Sequence, residues 1–100
     1  MIESLNLQEF ELKFKEKKGT LIDVRTTGEF ESGHLKNAIH MDWLGGHLHS
    51  NLDDLDKNDT YYLYCASGNR SRMAATFLKQ QGFNNVYDIG GYAALAGAGL

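Results

Sequence analysis

The sequence predicts an α/β fold, with a largely parallel central sheet and helices on both faces. Short apolar runs at 20–24, 61–65 and 85–89 alternate with stretches whose apolar residues recur at helical spacing. Two capping-box pairs, Asn6 with Glu9 and Thr26 with Glu29, mark helix starts between those runs. No repeat, linker or low-complexity segment breaks the 100 residues, so one domain over 1–100 is expected.

Taken in order, residues 1–5 read as a short edge strand. Asn6 caps a first helix whose apolar stripe is Leu7, Phe10 and Phe14. Lys13, Lys15, Lys17 and Lys18 interleave with Glu9, Glu11 and Glu16, the pattern of a solvated face rather than a binding patch. Gly19 is expected to end that helix. The strand 20–24 leads to Asp23 and Arg25, and Thr26 opens a short helix that carries Phe30 inward. Asn37 suits a turn needing the left-handed conformation.

Leu44, Leu48, Leu52 and Leu55 recur at spacings of 4, 4 and 3, predicting one or two short helices that supply core. Gly45-Gly46 allows a bend between them. His47 and His49, two apart, would point to different sides of a helix with no third ligand nearby, so no metal is expected. A helix from about Ser71, with Met73, Ala74, Phe77 and Leu78 on one face, should run to Gly82. The strand 85–89 follows, then a tight turn at Gly90-Gly91 and a weak helix over 92–98 anchored by Leu95.

The stretch 61–71 holds the chemistry. Tyr61-Tyr62-Leu63-Tyr64 runs straight into Cys65, the sole cysteine, and a short polar loop closes at Arg70. Strand, tight turn and helix N-terminus would bring the Cys65 sulfur to a mouth where the amides of 66–71 converge. Such an environment favours a thiolate. A buried structural cysteine is the alternative, but it does not need Gly68, Ser67, Asn69, Arg70 and Arg72 crowded behind it. His34 and His40 are candidates for a Cys–His pair of the protease kind, a weaker reading because the loop already offers amides and arginines.

Composition narrows the partners. A net charge of −3, from 10 basic against 13 acidic residues, argues against nucleic acid or an anionic membrane surface. No apolar run reaches transmembrane length and no leader-like segment opens the chain. A lone reactive thiol belongs in a reducing compartment, so a cytoplasmic location is expected.

Loop length then selects the chemistry. Cysteine phosphatases use Cys-x5-Arg, whereas Cys65 to Arg70 is Cys-x4-Arg and Arg72 lies one residue too far. The loop resembles that of the rhodanese sulfurtransferases, Cys-x-x-Gly-x-Arg-Ser, with Cys65, Gly68, Arg70 and Ser71 at the fixed positions. Asp23-Val24-Arg25, Glu29-Phe30 and Gly33-His34-Leu35 with Ala38-Ile39 resemble the signature preceding that loop, and the likeness spans roughly 5–97. The chain departs from the family at Lys36-Asn37, where Pro-Gly is usual, and at Leu95, where a tryptophan is frequent.

The resemblance implies a sulfurtransferase with Cys65 as nucleophile and no cofactor. Ala66, Ser67, Gly68, Asn69, Arg70, Ser71 and Arg72 would form the substrate cradle, with Asp23, Arg25 and Glu29 as loop supports. Arg70 has two readings, binding the donor's oxygens or turning inward to Asp23. The resemblance implies the second, a buried Asp23–Arg70 pair, which leaves Arg72 to greet an anionic donor at an exposed mouth. Cys65 would attack the outer sulfur of a donor such as thiosulfate, hold it as a persulfide and yield it to cyanide, a thiol or a protein acceptor. A persulfide carrier or a regulatory interaction module is the alternative in the same family. A small phosphatase or arsenate reductase is disfavoured by the loop length.

Overall fold

Strand β4, Thr60–Cys65, is buried at every position, because its pattern TYYLYC offers apolar surface to both faces of a sheet. The computed structural model describes residues 2–100, and Met1, expected at the start of the edge strand, lies outside the described residues. Among the described residues, β1 (Glu3–Ser4), β2 (Thr20–Asp23), β3 (Ile39–His40), β4 and β5 (Asn85–Gly91) form one sheet of order β1-β5-β4-β2-β3. Every pairing is parallel. The expected parallel α/β architecture is what the chain adopts.

The pleat sorts β4 into two cores. Tyr61, Leu63 and Cys65 face a cluster with Ile22, Val24, Leu48, Ala74, Ala75, Leu78 and Val86, which takes in α4 (Asn69–Gln80) and the short α3 (His47–Ser50). Tyr62 and Tyr64 face the opposite cluster of Leu5, Phe10, Leu35, Ile89 and Leu95, which takes in α1 (Leu7–Glu16) and α5 (Tyr92–Gly97). Phe10 and Phe14 meet the Tyr62 ring edge-on at 5.2 and 5.6 Å.

Both capping boxes form, at Asn6/Glu9 for α1 and Thr26/Glu29 for α2 (Thr27–Glu31). Asn37 takes φ 67°, the conformation its turn requires.

Several boundaries differ from expectation. Helix α1 stops at Glu16, capped by Lys17, so Gly19 is not its terminator. Gly19 is small for another reason: a Cβ there would stand 2.3 Å from the Thr60 carbonyl oxygen at the start of β4. Leu44 is 67% exposed and contributes no core, whereas Leu48 is fully buried and Leu52 and Leu55 pack partly against it. Helix α4 begins two residues earlier than Ser71, at Asn69. Gly90 and Gly91 are not a turn but the end of β5. Leu63 pairs with Asp88 and Cys65 with Gly91, so β5 carries an extra residue there, a bulge. Leu95 is buried, and the Leu100 amide donates to its carbonyl at 3.2 Å, pinning that end of the chain.

Candidate active site

Cys65 closes β4 at the carboxyl end of the parallel sheet, where open α/β sheets gather their chemistry. Only Ala66, Ser67 and Gly68 separate it from α4. Gly68, with φ 97°, is the helix N-cap and turns its amide back on the cysteine, donating to Sγ at 2.9 Å. Gly91 lies beside Cys65 in the sheet, and a Cβ there would stand 2.6 Å from the Ala66 carbonyl oxygen. The loop can fold this tightly only because residue 91 has no side chain.

Burial of the sulfur disfavours the thiolate, but donation from the Ser71 hydroxyl and from the amides of Ser71, Ser67 and Gly68 outweighs it. The Cys65 pKa therefore lies below the ordinary thiol value. The hydroxyl's share is conditional. Ser71 Oγ lies 3.5 Å from Cys65 Sγ, 3.2 Å from the Gly68 carbonyl oxygen and 2.6 Å from Asp88 Oδ1. One proton cannot serve three acceptors, and a carboxylate at the shortest distance has first claim on it. The backbone amides, fixed in direction by the fold, are the constant donors.

The sulfur is recessed. Cys65 is fully buried, while Ala66, Ser67 and Asn69 around it are exposed. The expected open mouth thus belongs to the loop backbone rather than to the sulfur itself.

Arg70 does not pair with Asp23. It forms a two-pronged bond to Glu29, Nη1 to Oε1 at 2.6 Å and Nη2 to Oε2 at 3.0 Å, tying the loop to α2. The reason is the pleat. Asp23 alternates with Ile22 and Val24, which face the Cys65 side, and so it points to the opposite face. There it meets Arg25, whose Nε reaches Oδ1 at 3.0 Å and whose Nη2 reaches Oδ2 at 2.7 Å. The Arg25 guanidinium also donates to the Gly33 carbonyl at 2.7 Å and lies 4.3 Å over the Tyr92 ring. Glu29 therefore touches the loop directly, whereas Asp23 and Arg25 brace the sheet beneath it.

Arg72 is 64% exposed, with Nε 3.9 Å from Asp88 Oδ2. His34 and His40 both stack on Phe30, at 3.8 and 4.6 Å. Their ring nitrogens bond the carbonyls of Phe30 and Arg25. One nitrogen of each ring is thereby committed to a backbone oxygen, and the hydrogen-bond partners of Cys65 Sγ are Gly68 and Ser71, neither of them a histidine. Trp43 stacks on His49 at 4.7 Å, and among the described residues no three His, Cys, Asp or Glu side chains cluster as metal ligands.

Sequence reasoning passed over Asp88, which is 3% exposed beneath Ser71. The signal was a carboxylate inside the otherwise apolar run of the last strand, in phase with the inward Val86. A cleft of about 550 Å³ lined by Phe14, Leu21, Leu35 and Ile39 lies at the opposite end of the strands. Its lining also includes Lys18, Thr20 and Lys36, but neither Cys65 nor any residue of the Cys65 loop.

The geometry agrees with comparison to known proteins. Among solved structures, a rhodanese-related protein from Thermoplasma volcanium superposes with a TM-score of 0.79 at 31% identity, covering 97% of this chain and 93% of that one. A rhodanese-like domain protein from Staphylococcus aureus superposes with a TM-score of 0.79 at 29% identity, covering 93% and 89%. YrkF of Bacillus subtilis (strain 168), named as a proposed sulfur carrier protein, is 33% identical over 89 residues. That alignment takes in 88% of this chain and 47% of YrkF, so the chain spans about half the length of this relative. The model of the rhodanese-like domain matches residues 6–98, and the chain belongs to that family.

Proposed function

We propose that the protein is a sulfurtransferase that moves a sulfane sulfur from a donor such as thiosulfate to a thiophilic acceptor through a persulfide on Cys65. One observation carries the reading: a buried Cys65 sulfur held by the Gly68 amide at 2.9 Å inside a three-residue loop opening a helix. Membership of the rhodanese-like family and likeness to a proposed sulfur carrier support sulfur transfer in general. The thiolate attacks the donor's outer sulfur, an S–S bond forms to Cys65, and sulfite leaves with the electron pair of the broken bond. The persulfide anion then sits among amides that stabilise negative charge much as an oxyanion hole does. Cyanide or a thiol removes the outer sulfur and regenerates the thiolate.

No side chain in this scheme needs a metal or cofactor. Arg72, exposed at the rim, is the cation placed to meet an anionic donor, while Arg70 is already engaged with Glu29. A carrier role, handing sulfur to one protein partner, is the second reading, favoured by the name of the Bacillus subtilis relative. We place both activities in the cytoplasm, where a reactive thiol stays reduced. Among the described residues no helix is long and apolar enough to cross a membrane.

Mass spectrometry after thiosulfate treatment tests the proposal. One added sulfur atom on Cys65, removable by cyanide, is the expected result. An unmodified cysteine, under conditions where it is still alkylated, would overturn it.

A further inference from the structure

The cleft at the far end of the strands from Cys65 carries side-chain charge of one sign only. Its volume, about 550 Å³, lies within the roughly 300–1,000 Å³ of small-molecule sites. Phe14, Leu21 and Leu100 line it and pack only half-buried against the second core cluster. Leu35, also in the lining, is 1% exposed and belongs to that cluster itself. The core is therefore left partly uncovered here, with apolar surface open to a further hydrocarbon. Two lysines share the lining, and no aspartate or glutamate does.

Those lysines come from separate segments. By spacing Lys18 joins the lysine-rich face of the first helix, but α1 ends at Glu16 and Lys18 stands in the connection to β2. Lys36 stands in the turn before β3, beside the left-handed Asn37. Lys36-Asn37 is also where the chain departs from the usual Pro-Gly. Both lysines are exposed, and among the described residues neither has a carboxylate within ion-pair distance. The chain as a whole carries a net charge of −3, so this local excess of cations runs against its average. An apolar wall beside two unpaired ammonium groups favours a ligand with an apolar body and a negative head.

We propose that this cleft binds a small amphipathic anion, an aliphatic chain of medium length ending in a carboxylate or a phosphate. The chain lies along Phe14, Leu21, Leu35 and Leu100, and the head stays in water within reach of Lys18 and Lys36. Lysine ammonium groups, as point charges on flexible stems, suit either head. The site shares no residue with the Cys65 loop and does not rest on sulfur transfer.

Isothermal titration calorimetry with hexanoate, octanoate and octyl phosphate, each below its micelle concentration, tests the site. Octanoate or octyl phosphate should bind one to one, and the stronger of the two names the head. Each methylene added between hexanoate and octanoate should tighten binding about two- to fourfold, as hydrocarbon leaves water. Lys18→Gln and Lys36→Gln should each weaken binding about threefold and the double variant about tenfold, the scale of exposed charge contacts. Octanol should bind the wild type no better than octanoate binds the double variant. Both lysine variants should melt with the wild type, so a lost affinity reads the site rather than the fold. Leu100→Glu, at a chain end where substitution is tolerated, sets a carboxylate against the cleft and should abolish binding. If Leu100→Glu does not fold, the lysine variants decide alone. Absence of saturable binding by octanoate and octyl phosphate overturns the proposal, as does an affinity indifferent to both lysines. A dimer that Leu100→Glu splits and octanoate does not would give the cleft to a second copy of the chain, and would overturn it too.

Discussion

Arg70 and Glu29 are 41 residues apart in sequence and joined by two parallel bonds of 2.6 and 3.0 Å. The fork geometry locks the first turn of α4, and with it the loop, to the capped start of α2. Glu29 serves twice there, since Oε1 also accepts from the Thr26 amide at 3.1 Å in the capping box. The side chains remain 19% and 34% exposed, so solvent screens the pair. Arg70→Ala should therefore cost only about 1 kcal/mol of global stability. The loop, losing its tether, should hold sulfur less well, lowering the yield of loaded Cys65 at fixed thiosulfate. Denaturant titration and mass spectrometry together separate the two effects.

The same pair makes stability depend on acid. Hydrogen bonding to Arg70, outweighing burial and aided by Thr26, holds the Glu29 carboxyl at about 2, against an ordinary value of 4.5. A depressed folded-state pKa means the unfolded chain binds the proton first as pH falls. The contribution is fully present above the ordinary value and is lost progressively as pH drops from there toward about 2. Glu29→Gln should melt lower than wild type at neutral pH, and the gap should close across that acid window. A gap that stays constant with pH would assign the effect to lost packing instead.

Asp23 and Arg25 behave differently because water cannot reach them. Their side chains are 0% and 6% exposed, and Arg25 also holds the Gly33 carbonyl. Removing one partner leaves a buried charge uncompensated, which typically costs ~3–5 kcal/mol. Arg25→Ala should thus shift the denaturant midpoint far more than Arg70→Ala. Equal shifts would mean that the Asp23 carboxylate finds another partner.

Gly91→Ala probes the loop from beneath. The added methyl would meet the Ala66 carbonyl oxygen at 2.6 Å and the Ser67 Cα at 3.6 Å, both backbone atoms that cannot swing aside. The loop must lift, withdrawing the Gly68 amide from Cys65. Sulfur loading should fall at least tenfold, the scale of one lost charge-stabilising donor. The comparison variant Gly28→Ala, where nothing lies within 4 Å of the new Cβ, should load normally.

Much of this was legible in the chain because local rules and the global fold agree. Asn6/Glu9 and Thr26/Glu29 are sequence-local caps, and both formed. The alternation through Tyr61–Cys65 fixed which residues share a face, and Cys65 fell on the α4 side. What stayed hidden depended on pairing across strands. Asp23 was expected to meet Arg70, and only its phase with Ile22 and Val24 shows that it faces away. Gly90-Gly91 looked like a turn, since a bulge is visible only once β5 is laid against β4. Asp88 was unreadable as part of the site because Ser71, its partner, sits 17 residues away on another element.

The last prediction follows from Cys65 being the sole cysteine. Many thiol enzymes release an intermediate by attack of a second cysteine of their own, closing a disulfide. That route does not exist within this sequence, so the proposed persulfide must wait for an outside acceptor. The waiting place is suitable. Cys65 is fully buried, and the amide of Gly68 faces its sulfur. With thiosulfate and no acceptor, the protein should release one equivalent of sulfite and stop, loaded. Cyanide or a small thiol should then discharge it in a separate step, giving the parallel double-reciprocal lines of a ping-pong mechanism. Cys65→Ser should release no sulfite while melting close to wild type, since the hydroxyl is similar in size but cannot carry the sulfur. Continued sulfite release without an acceptor would show that the donor is being cleaved by some route other than a stable persulfide. Because the sulfur is recessed below exposed Ala66 and Ser67, small acceptors should also discharge it faster than bulky thiols of equal basicity. A rate indifferent to acceptor size would mean that the loop opens before transfer, and hydrogen exchange at the Gly68 amide would then rise on loading.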